Sequence, residues 1–281
     1  MPSRRRPRPP QDRPRPGTAG RPEERPAAAT GPPGGGPAPV VTWTILAVCT
    51  AVFLLGPAAG LNPLHGTGHA RLCAQALWFE RWGVVPARLW HDGPVPAAAL
   101  PTGCRAAQGP LPVAALSVLT ALFVHGSWVH LLGNMLFLHV FGPGVEARTG
   151  RARFALFYLL AGYAATYGYA LGGAGAGQTL VGASGAIAGV LGAYLLLHPR
   201  ARVTGLFPFL LFLPLRLPAW LVLGFWFAVQ WLAARTGPAG PGVAYLAHVT
   251  GFAFGFLCAA VLRWQRSKLT PQSATRGDSH P

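Results

Sequence analysis

Ser184 is the one hydroxyl in LVGASGAIAGVLG, an apolar stretch from Leu180 to Gly192 that also holds four glycines and three alanines. A segment that only had to cross lipid would use Leu, Ile and Val. This one suits close approach of neighbouring helices around a single reactive group. Two other apolar stretches carry polar side chains. HGSWVHLLGNMLFLHVFG, from His125 to Gly142, places His130 and Asn134 four residues apart, on one helical face. AHVTGFAFG, from Ala247 to Gly255, holds His248. A serine becomes a nucleophile when a neutral histidine takes its proton. The oxyanion that then develops needs donors, which Asn134, His130 and the free N–H groups at a helix start can supply. No Asp or Glu falls at this level of any apolar run, so the chemistry is that of a Ser-His dyad without a carboxylate. It requires no metal and no cofactor. Each residue also has a plainer reading. A membrane-helix Ser or Asn often only joins helices, and the small-xxx-small pairs Gly185/Gly189 and Gly251/Gly255 serve packing. Intramembrane histidine is harder to explain that way, because ionisable groups there are costly and usually functional. His139, in the same run as His130, shows that not each of them must be catalytic.

Six apolar runs must position these groups. They are Val40–Leu55, Ser127–Phe141, Phe154–Leu171, Val181–Leu197, Pro218–Ala234 and Val243–Trp264. The pattern predicts an all-α integral membrane fold, a six-transmembrane helical bundle over 40–265, with Ser127 as N-cap of the second span. Residues 1–39, rich in Arg, Pro and Gly, and 266–281 read as disordered tails. LFPFLLFLPLR, ahead of the fifth run, reads as an interfacial segment or a ragged start to that span, because Pro208, Pro214 and Arg216 interrupt it. Only 11% of the 281 residues are charged, well below a soluble domain. The net charge of +16 is concentrated at the ends of apolar runs and in the first 25 residues, where eight of the 23 basic residues lie. That is a membrane pattern and argues against nucleic acid as the partner. With the N-terminus in the cytoplasm, eighteen basic residues fall inside. Five stay outside, namely Arg71, Arg81, Arg88, Arg105 and Arg235, four of them in one long loop that counts little. Spans two, four and six then run inward from the outer side. Ser184 lies about three residues into span four, His248 about five into span six, and His130 and Asn134 a few into span two. At about 1.5 Å per residue all four share the outer 5–10 Å of the core.

At these residues the chain resembles the rhomboid intramembrane serine proteases. HGSWVHLLGNMLFLHVFG resembles the second-span signature and GVEARTG the E-x-R-x-G turn. GASGA matches the G-x-S-G nucleophile motif, and AHVTGFAFG the A-H-x-x-G-x-x-x-G motif of the last span. LPAWLVLGFWFAVQ is similar to the fifth span. The resemblance covers about 40–262. It implies Ser184 as nucleophile, His248 as general base, and His130, Asn134 and the Ser184 N–H around the oxyanion. Gly182 is the first glycine of the nucleophile motif, His125 a further position of the second-span pattern, and Glu146 and Arg148 belong to a structural turn. GASGA is not the G-x-S-x-G elbow of soluble hydrolases, because Ala186 replaces the last glycine. Two departures stand out. Where many members carry a Trp-Arg pair in the long outer loop, this chain has Leu116 and Ser117. Where some place an aromatic one turn after the serine, it has Ala188, so something else must orient His248.

The implied function is hydrolysis of peptide bonds in or next to transmembrane segments of other proteins. The partners are those substrates and the lipid bilayer, with the site opening to the outer side of the cell membrane. The alternative is a non-catalytic rhomboid-like protein that binds membrane clients. A small-solute transporter would want broken helices in paired repeats and midplane charges, which are not visible. Cys49 and Cys258 fall in spans and act as small apolar groups. Cys73 and Cys104 fall in the long outer loop, where they form either a disulfide or two unpaired thiols.

Overall fold

The computed structural model describes residues 38–90, 100–105, 113–172, 178–207, 213–236 and 244–269. The tails read as disordered fall outside the described residues, except for 38–39 and 266–269. The described chain is mostly helical. The helices are α1 (Val40–Leu55), α2 (Gly68–Trp82), α3 (Ala114–Ala121), α4 (Trp128–Thr149), α5 (Arg151–Leu171), α6 (Ser184–Leu197), α7 (Ala219–Thr236) and α8 (Tyr245–Leu269). Among the described residues α4, α5 and the Tyr245–Gln265 part of α8 are long and apolar enough to cross a membrane, while α1 and α6 are shorter apolar helices.

α6 explains the glycines. Ten consecutive residues, Gly185 to Tyr194, are buried, so this helix is apolar all round and sits at the centre. Its neighbours reach it through missing side chains. A methyl group on Gly255 would run into the Gly189 carbonyl, and one on Gly251 into the Gly185 carbonyl, so α8 lies backbone to backbone against α6. Methyl groups on Gly185 and Gly189 would in turn lie 2.6 Å from Ala165 and Ala161 of α5. At 14 residues α6 is about 21 Å long, short of a ~30 Å hydrocarbon core.

α4 begins as its sequence dictates, with the Ser127 hydroxyl accepting from the His130 N–H at 3.2 Å. It ends later than the apolar run suggests. GVEARTG is not a turn but the last turns of α4, and the break falls at Gly150, whose φ of +86° suits glycine. The helix continues because Glu146 points inward and is buried. Its carboxylate accepts from the Val41 N–H at 2.9 Å, the Thr42 N–H at 2.8 Å and the Thr42 hydroxyl at 2.7 Å. A negative group therefore caps the N-terminus of α1 from a different helix, satisfying donors that α1 cannot pair internally.

Three expectations need correction. The segment before α7 is not a ragged helix start. β1 (Arg202–Phe207) and β2 (Leu213–Pro218) form an antiparallel hairpin with Arg202 opposite Pro218 and Phe207 opposite Leu213. Proline forbids helix here, and a two-stranded hairpin offers it edge positions. The hairpin leads into α7, whose first N–H groups donate to carbonyls just before it: Ala219 to Ala201 at 2.8 Å and Trp220 to Pro199 at 3.1 Å. Secondly, α8 runs four residues past Gln265. Basic residues suit a helix C-terminus, and the Lys268 ammonium stands 3.9 Å from the Trp264 ring centroid.

The third correction concerns the segment from 56 to 126, read only as a long loop. Its described residues carry α2, α3 and three short 3-10 turns. It is tied down without the Trp-Arg pair. Val84 and Leu180 exchange backbone hydrogen bonds of 3.0 and 2.7 Å, and Thr120 donates its hydroxyl to the Trp82 carbonyl at 2.8 Å. Trp128 donates to the Ala59 carbonyl at 3.2 Å. Cys73 and Cys104 form the disulfide, with Cα atoms 5.4 Å apart.

Candidate active site

The polar groups singled out in sequence meet at one end of α4, α6 and α8. Gly182 prepares the place. Its φ of +120° is open to glycine and strained for other residues, and its N–H donates to the Ala121 carbonyl at 2.8 Å. This turn sets Ser184 as the first residue of α6 rather than the third. Its backbone N–H is thus one of the first-turn donors without an intrahelical partner.

Ser184 Oγ lies 2.9 Å from His248 Nε2. The close α6–α8 packing accounts for this distance, since Gly251 stands three residues beyond His248 and touches the backbone of Gly185. His248 is 9% exposed, so its imidazole is screened from bulk water but not sealed from it. Its other nitrogen, Nδ1, lies 2.7 Å from Oε1 of Gln230 on α7. The Trp226 ring, one turn earlier on α7, is 5.9 Å from the imidazole and tilted 35° to it. The α7 face therefore supplies what Ala188 does not, an aromatic beside His248. Sequence reading missed Gln230 and Trp226. Both lie in LPAWLVLGFWFAVQ, but neither was singled out, because the direction of a lone amide in an apolar run depends on how α7 packs.

His130 and Asn134 lie on one side of Gly182. A Cβ on Gly182 would fall 2.6 Å from His130 Nε2 and 3.8 Å from Asn134 Nδ2. Asn134 is buried and its Nδ2 has no hydrogen-bond partner, an unused donor beside Gly182, two residues before Ser184. His130 is held through Nδ1, which accepts from the Gly126 N–H at 3.4 Å, leaving Nε2 turned toward Gly182. Its ring packs against that of His125 at a centroid distance of 5.2 Å. His125 is buried, with its own Nε2 unpaired. His139 is elsewhere, edge-on to Trp43 of α1 at 5.1 Å. The structure thus brings Ser184 to His248, and Gly182 to His130 and Asn134, and leaves His139 apart.

The Rhomboid domain family model matches residues 114–265, more than half of the chain, and includes Gly182, Ser184, His248, Gln230, His130 and Asn134. The chain belongs to the rhomboid family. Among curated proteins it is 36% identical over 84 residues to one from Bacillus subtilis (strain 168) described as "Putative rhomboid protease YdcA". That alignment takes in 28% of this chain and 39% of the relative's length. A rhomboid membrane fold fits the long apolar helices.

Proposed function

We propose that this rhomboid-family protein is an intramembrane serine endopeptidase, with Ser184 as nucleophile and His248 as general base. The 2.9 Å contact between Ser184 Oγ and His248 Nε2, made between two apolar helices, carries the reading. His248 takes the hydroxyl proton as Oγ attacks the scissile carbonyl. The oxyanion is met by Asn134 Nδ2, His130 Nε2 and the Ser184 N–H. His248 then protonates the leaving amine, and water hydrolyses the acyl-enzyme by the same proton route in reverse. The substrate is a transmembrane segment weakened as a helix near the site, because a regular helix keeps its carbonyls paired and hidden.

In this reading α1, α4, α5, α6, α7 and α8 are six spans, the N-terminus is cytoplasmic and Ser184 opens to the outer side of the cell membrane. The distribution of arginines supports the orientation, as does the Cys73–Cys104 disulfide in the segment between α1 and α4, since disulfides persist on the oxidising side. The test is a panel of single-span substrates mixed with the purified protein in detergent. Cleavage is expected, lost in Ser184→Ala and in His248→Ala. A client-binding protein without catalysis would retain substrates uncut.

A further inference from the structure

We propose that Gln230 is the positioning residue for His248, the third member of a Ser-His-Gln arrangement spread over α6, α8 and α7. The inference rests on the protease reading above. If His248 Nε2 is to accept the Ser184 proton, Nε2 must be bare, and the single proton of the neutral ring must sit on Nδ1. That N–H faces α7 among apolar side chains, where an unmet donor is costly. The acceptor the structure gives it is Gln230 Oε1, at 2.7 Å. The opposite arrangement, with the amide nitrogen facing Nδ1, would place the ring proton on Nε2 and stop it from taking the serine's proton. One hydrogen bond therefore selects the tautomer, and it also fixes the ring plane, since Nε2 then points at Ser184 Oγ 2.9 Å away.

A neutral amide suits the place. Gln230 lies in an apolar helix, where a carboxylate would carry a larger desolvation cost than an amide. What is given up is stabilisation of the imidazolium that forms during attack, which a carboxylate partner supplies in soluble triads. Such a partner matters the more here because Ala188 puts no ring against His248 from α6. Trp226 shares the task from the same face of α7. The plainer role for Gln230 is a join between α7 and α8 that only holds the helices together. On that role its loss would lower stability and turnover together, and restoring the acceptor would not matter in itself.

The experiment compares wild type, Gln230→Leu and Gln230→Glu as full chains in detergent. It reads kcat and KM on the panel substrate that wild type cleaves fastest, with the thermal midpoint of each. Gln230→Leu is expected to lower kcat about 10–100-fold, no more than the lower end of the 10²–10⁴-fold that a general base contributes as a whole, with KM within about twofold. Gln230→Glu, which keeps an acceptor oxygen at the same reach, is expected to recover most of that loss. Turnover in Gln230→Leu equal to wild type would overturn the positioning role. So would a loss in Gln230→Glu as large as in Gln230→Leu, or losses in both that follow their thermal midpoints. Wild type that cuts no substrate, behaving like Ser184→Ala, would instead remove the protease reading, and this inference with it.

Discussion

Asn134 shows what one buried side chain can say about chemistry. Its Nδ2 has no partner although Asn134 is only 7% exposed, and an unmet buried donor costs about 1–3 kcal/mol. A group with only a packing role would be replaced by an apolar one at little loss. In an oxyanion site the same atom is paired when charge develops. Asn134→Ala is therefore expected to lower kcat, by less than the 10²–10³-fold seen where one donor dominates, because His130 and the Ser184 N–H share the charge. An unchanged kcat would take Asn134 out of the site. The polar side chains of Ser184, His248, His130 and Asn134 stood out in sequence, because polar atoms in apolar runs are conspicuous and a helix repeat fixes who shares a face, whereas Gly182 came only from the family resemblance. The role of Gln230 was not legible. A glutamine in a span is conspicuous too, but its target is set by the packing of α7 on α8, which no local pattern states.

The elements hold these residues through two devices. Glycine contacts keep α6 and α8 in backbone contact, so Gly255→Leu is expected to force α8 outward and carry His248 off Ser184. Turnover should be lost even in protein that still elutes as a monodisperse detergent complex. Full turnover would mean the glycines are incidental to the site. The second device is Glu146 on the N-terminus of α1. Glu146→Ala leaves the Val41 and Thr42 N–H groups and the Thr42 hydroxyl without their acceptor. The cost is on the order of 3 kcal/mol, from hydrogen bonds to a charged group. A clear fall in the thermal midpoint should accompany kcat that is unchanged at low temperature. The helices with long apolar runs were readable, and their boundaries shifted where tertiary contacts decide them, as in α4, which Glu146 carries past Phe141. The β1–β2 hairpin was misread because bulky apolar residues and proline fit a ragged helix start as well as a strand.

At the scale of the whole molecule, the described residues between α1 and α4 form a folded layer joined to the site. The Val84–Leu180 bridge ties it to the strand of chain that leads into Gly182 and Ser184. Sequence could not reveal this layer, because short polar helices such as α2 are fixed by contacts distant in the chain. It did put Cys73 and Cys104 in one long loop, where a disulfide was one of two readings. Breaking that bond with Cys104→Ser is expected to destabilise the protein by about 3–4 kcal/mol in the chain-entropy model, read as a lower thermal midpoint. A midpoint equal to wild type, with both thiols alkylatable in protein from its native membrane, would show that the layer holds itself by packing alone. The site these layers enclose has one central claim, that His248 makes Ser184 a nucleophile. The most direct measurement is labelling with a fluorophosphonate in detergent, with the adduct located by mass spectrometry of peptides. The account predicts a single covalent adduct on Ser184, absent in Ser184→Ala and strongly slowed in His248→Ala. Labelling of a different residue, or of Ser184 at the same rate without His248, would contradict it.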